Sequence, residues 1–86
     1  MQASHILVDT KEQADAIFKE ANTLNFGSLA QQHSKCPSKA RGGDLGEFGP
    51  GQMVKPFEDA TLATPPGQIS LPVQTQFGYH LIHRIK

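Results

Sequence analysis

The sequence predicts an α+β domain, a four-stranded antiparallel sheet surrounded by three to four helices. Three observations carry this. Residues 2–8 and 79–85 alternate their side chains as strands do, with apolar residues on both faces. Residues 11–23 repeat apolar positions at helical spacing. Between these lie a glycine-rich middle and a Pro-Pro-Gly turn, which divide the rest into short elements. The resulting order is strand, two helices, strand, helix, hairpin.

In the first strand Ile6 and Val8 point to one face, His5 and Leu7 to the other. Apolar residues on both faces place this strand centrally, covered on each side. Thr10 ends it, and Gln13 three residues later completes a capping-box pattern. A helix over 11–23 follows, with Ala14, Ile17, Phe18, Ala21 and Leu24 as its apolar stripe. Lys11–Asp15 and Asp15–Lys19 are spaced for ion pairs on the wet side. Asn25-Phe26-Gly27-Ser28 interrupts it, and a shorter helix over 27–34 turns Leu29 and Ala30 inward. His33 falls near the end of that helix, where the dipole favours a cation, and reads as a capping or surface residue.

Residues 45–48 suit a short strand and 54–62 a short helix, with Phe57, Ala60 and Thr61 on its inner side. Thr64-Pro65-Pro66-Gly67 is a turn. Ile69, Leu71 and Val73 alternate, and Pro72 puts their strand at a sheet edge because it has no ladder N–H. Residues 74–78 form a tight connection. In the last strand Tyr79, Leu81, His83 and Ile85 share one face, His80 and Ile82 the other.

The centre of the sequence is Cys36–Phe57, which opens on the only cysteine and holds five of the eight glycines, Gly42, Gly43, Gly46, Gly49 and Gly51. Glycines let a backbone turn sharply or approach a ligand closely. Leu45, Phe48, Met53 and Phe57 among them fit either an apolar guest site or plain core filling. Cys-Pro-Ser-Lys, Gly-Gly-Asp-Leu-Gly-Glu-Phe, Gly-Gln-Met-Val-Lys-Pro-Phe-Glu-Asp-Ala and Phe-Gly-Tyr-His, with His5 in Ser-His-Ile-Leu-Val, resemble the signature of the parvulin family of peptidyl-prolyl cis/trans isomerases. The resemblance runs through the whole chain in order, as a single domain over 1–86, and is nearest to the minimal bacterial type.

The resemblance implies a proline pocket at Leu45, Met53 and Phe57, with Phe48, Gln52 and Phe77 also in the substrate-binding cleft. It implies a buried histidine pair at His5 and His80, a threonine at Thr75, and Cys36 opposite the pair. By pattern alone, each histidine lies mid-strand beside an aliphatic neighbour, as satisfied core histidines do. If the first and last strands pair, one imidazole can donate to the other and Thr75 can fix the tautomer. Cys36 admits three readings: a nucleophile, a polar group tuning the histidines and the substrate carbonyl, or an inert packed thiol. The family accepts Asp at that position, which cannot replace sulfur as the attacking atom.

Parvulins that require a phosphorylated residue before proline carry a basic cluster between the first strand and first helix. Here that connection is Val8-Asp9-Thr10-Lys11-Glu12, with two acids that would repel a phosphate. The expected partners are therefore unphosphorylated proline-containing peptides and folding proteins. The alternative is a non-catalytic module that holds extended peptides in the same cleft.

Eight basic and eight acidic residues cancel, which argues against nucleic acid. Lys35, Lys39 and Arg41 form only a local cluster. One cysteine makes no internal disulfide and cannot resolve a mixed disulfide, so a thiol redox role ranks last. Scattered histidines lack metal-ligand spacing, and neither metal nor cofactor is expected. No signal segment or membrane span is legible, and the expectation is a soluble, cytoplasmic monomer.

Overall fold

The computed structural model describes residues 1–86. Its strands are β1 (Gln2–Val8), β2 (Asp44–Glu47), β3 (Val73–Thr75) and β4 (Gly78–Arg84). They form one antiparallel sheet in the order β2-β1-β4-β3. Three α-helices, α1 (Lys11–Glu20), α2 (Phe26–His33) and α3 (Lys55–Ala63), and a 3-10 helix at Pro37–Arg41 surround it.

The central strands bury apolar residues on both faces. Ile6, Val8 and Leu81 pack with Ala14 and Ile17 of α1 and Phe26, Leu29 and Ala30 of α2. On the other face Ala3 and Ile82 pack with Phe48 and with Phe57 of α3. The sheet is thus a partition between two helices and one. His5 and His80 lie on the α3 side.

Helix α1 starts on the capping box: Thr10 Oγ1 accepts from the Gln13 N–H at 3.2 Å, and Gln13 Oε1 accepts from the Thr10 N–H at 3.2 Å. It ends earlier than its apolar spacing predicts. Asn22 Oδ1 accepts from the N–H groups of both Leu24 and Asn25, at 2.8 and 2.9 Å. That side chain offers the backbone an alternative to further helix. Leu24 is consequently 95% exposed rather than part of the stripe, and Phe26 takes the core position, only 2% exposed. Lys11–Asp15 forms at 3.1 Å; Asp15–Lys19 does not form.

The strand expected over 69–73 is split. Ile69 makes a lone bridge to His83, and β3 begins only at Val73. Two features break it. Pro72 has no N–H to give, and the Ile82 N–H bonds to Ser70 Oγ, at 3.2 Å, in place of a backbone carbonyl. Leu71 points outward, 70% exposed. The edge position of β3 agrees with the reading of Pro72. No helix is long and apolar enough to cross a membrane.

Candidate active site

The register of β1 and β4 sets the site. Leu7 pairs with His80 and His5 with Ile82, so the two histidines are diagonal neighbours on one face. Their Nδ1 atoms lie 3.0 Å apart, and the rings stack with centroids 5.2 Å apart and planes 19° apart. His80 Nε2 lies 2.7 Å from Thr75 Oγ1, carried by the neighbouring edge strand. Thr75 Oγ1 also accepts from the Phe77 N–H at 3.2 Å. Phe57, from the first turn of α3, presents its ring at 80° to His5 and 81° to His80, with centroids 5.6 and 5.2 Å away.

The two imidazoles form the base of a cleft of about 450 Å³. Leu45, Met53, Phe57 and Phe77 line it with apolar surface, and Gln52 and Cys36 contribute from the two loops. Gln52 shapes its own loop, its Oε1 accepting from the Gly49 N–H at 2.7 Å. Cys36 is half-buried, and its thiol makes no hydrogen bond to either imidazole.

The family model for the PPIC-type PPIASE domain, or rotamase, matches residues 5–86. The chain belongs to the parvulin-type peptidyl-prolyl cis-trans isomerases. This parvulin domain is 50% identical to foldase protein PrsA 4 of Bacillus cereus over 84 residues, 95% of the chain but 30% of that relative. The crystal structure of PrsA from Bacillus anthracis superposes with a TM-score of 0.95 at 44% identity, covering 99% of the chain and 40% of the other. The parvulin of Nitrosopumilus maritimus superposes with a TM-score of 0.82 at 41% identity, covering 100% and 95%. The domain therefore spans about a third of the foldase relatives and nearly all of the small parvulin.

The hydrogen-bond partners favour one direction for the relay in this parvulin domain. Thr75 has one proton to give, and its oxygen already accepts from Phe77. Giving that proton to His80 Nε2 puts the His80 proton on Nδ1, where it is donated to His5 Nδ1. His5 then carries its own proton on Nε2, which has no partner. The reverse direction would leave two groups without partners, the threonine proton and the His5 Nε2 lone pair, against one in this direction. The relay therefore runs Phe77 to Thr75 to His80 to His5, and both rings are neutral.

Burial lowers the His5 pKa from the usual 6.5 to about 4, with the neighbouring His80 adding to it. Burial lowers His80 to about 4 as well. Between pH 6.5 and 4 the unfolded chain binds protons that the folded pair refuses. The stability contributed by the neutral pair is complete above pH 6.5 and declines as pH falls toward 4. Urea unfolding midpoints should fall through that window. Folded-state titration of His5 or His80 near 6.5 by NMR would contradict it.

Of the residues singled out from sequence, His5, Cys36, Leu45, Gln52, Met53, Phe57, Phe77 and His80 line the cleft. Two do not. Phe48 lies behind Phe57, ring centroids 6.1 Å apart and 5% exposed, because the chain turns inward after β2. Thr75 lies below His80 and acts on it rather than on the cleft. Leu7, Lys35, Pro37 and Val54 also line the cleft, and the sequence did not mark them as cleft residues. Adjacency was their available signal: Leu7 shares a face with His5, Lys35 and Pro37 flank Cys36, and Val54 follows Met53.

Proposed function

We propose that this chain accelerates rotation about X–Pro bonds in exposed, unphosphorylated segments, without a covalent intermediate. The observation that carries this is an apolar cleft, walled by Leu45, Met53 and Phe57, closed below by two neutral, mutually bonded imidazoles. Unaided rotation must cross a barrier of roughly 18–20 kcal/mol and takes tens to hundreds of seconds. Acceleration by ~10⁴-fold requires about 5–6 kcal/mol of selective stabilisation. One neutral hydrogen bond, about 1 kcal/mol net, is too small. The environment supplies the larger share. A planar imide separates charge between nitrogen and oxygen, and a twisted one separates less. An apolar cleft therefore favours the twisted state over both planar forms.

Cys36 has no base within hydrogen-bond reach, which supports a non-covalent course over nucleophilic attack. Lys35, the one lysine in the cleft wall, is ion-paired to Asp9. This supports unphosphorylated segments, because a phosphate would have to displace that carboxylate. The name foldase, carried by PrsA relatives, supports folding proteins among the substrates.

Exchange NMR on proline peptides, with and without phosphate before the proline, tests the proposal. Wild type should accelerate exchange most for the unphosphorylated peptides, and Met53→Ala should slow it by about tenfold, ~1.4 kcal/mol of transition-state stabilisation. Peptide binding without accelerated exchange would favour a holding module instead.

A further inference from the structure

We propose that Ser34 is a positioning residue that holds the Cys36 side of the cleft in place. The proposal rests on the isomerase reading only for its rate measurement. Strand β2 pairs with β1 no further than Ser4, opposite Asp44. Beyond that point β1 has no strand on this side, and its backbone is satisfied by loop segments. The His5 N–H donates to the Gly43 carbonyl at 2.9 Å, and the Lys35 N–H donates to the Leu7 carbonyl at 2.8 Å. The remaining donor, the Leu7 N–H, goes to Ser34 Oγ at 3.0 Å.

The same oxygen accepts from the Cys36 N–H at 3.3 Å. One hydroxyl therefore ties the end of β1 to the loop that carries Cys36. Ser34 can do this because it is also the residue that ends α2, its own N–H donating to the Ala30 carbonyl at 2.9 Å. It is 4% exposed and touches neither imidazole by a hydrogen bond. Leu7, Lys35 and Cys36, the residues it clamps or adjoins, all line the cleft. Without the hydroxyl, two backbone donors lose their acceptor and the loop is free to move from β1.

The test is a double-mutant cycle read by exchange NMR. Ser34→Ala should lower kcat/KM about tenfold, since small displacements of a cleft wall carry penalties of that order. In a Cys36→Ala background the same change should cost about threefold or less, because the side chain being positioned is gone. Ser34→Thr, which keeps the oxygen, should recover most of the loss. The imidazole chemical shifts should stay as in wild type, whereas general loosening of the domain would move them. Equal losses in both backgrounds, or Ser34→Thr no better than Ser34→Ala, would overturn the proposal. Should Ser34→Ala fail to fold, amide exchange in the wild-type protein decides: protected Leu7 and Cys36 N–H groups support the clamp, unprotected ones refute it. Should wild type show no isomerase activity, only the isomerase reading falls, and the amide measurement still judges Ser34.

Discussion

Phe57→Ala is expected to cost about 3–5 kcal/mol of stability. Isomerase activity should be largely lost with it. Phe57 is 3% exposed and supports three rings, those of His5, His80 and Phe48. Truncation leaves a cavity beside the imidazole pair. Domains of this kind hold only about 5–15 kcal/mol in total, so the variant should be folded but marginal. Chemical denaturation measures the loss. The same change removes a wall of the proposed proline slot and admits water to the two histidines. Burial is what holds both near pKa 4, so their pKa values should rise toward 6.5 in the variant. An NMR titration reads this directly. A variant with unshifted histidines and full exchange activity would mean that Phe57 is only core filling.

Gly43→Ala should be strongly damaging. Gly43 has φ +84°, a left-handed conformation that costs a side-chain-bearing residue about 1–2 kcal/mol. The added Cβ would also collide with the His5 carbonyl oxygen and press on Ala30 Cβ, 3.2 Å away. The backbones must separate, which strains the bond from the His5 N–H to the Gly43 carbonyl. A combined loss of more than about 3 kcal/mol follows from the two penalties and the strained bond. The damage should reach the site, because β1 carries His5. Displacement of the His5–His80 bond should appear in the imidazole nitrogen shifts. Gly46→Ala and Gly49→Ala are the controls. Both added carbons meet open space, and only Gly46 has a positive φ, +71°. Gly46→Ala should therefore lose only the conformational share, and Gly49→Ala almost nothing.

The effects of these substitutions separate what is local from what is not. Strands β1 and β4 were legible because alternation along a strand states which side chains share a face. That placed His5 opposite Ile6 and Val8, and His80 opposite Leu81, before any pairing was known. The Thr10–Gln13 box was legible because both partners lie within one turn of chain. Leu24 was misplaced because helical spacing continues on paper past the point where Asn22 draws off the backbone N–H groups. The strand at 69–73 was overextended because Ser70 replaces a backbone partner with its hydroxyl.

The candidate site divides in the same way. The glycine-rich run and its neighbours named most of the cleft residues. They did not show that Phe48 turns behind Phe57, that Cys36 stands free of the imidazoles, or that Lys35 meets Asp9. The direction of the proton relay also needed coordinates, since it depends on the Phe77 N–H reaching Thr75 from across a turn. The order of residues determined the faces of the elements, the helix start at Thr10, and the set of groups available to a proline cleft. Tertiary packing alone decided which of those groups meet and at what distance. The physical reason is that periodicity and capping are satisfied within a few residues, whereas an imidazole pair separated by 75 positions exists only once the sheet has closed.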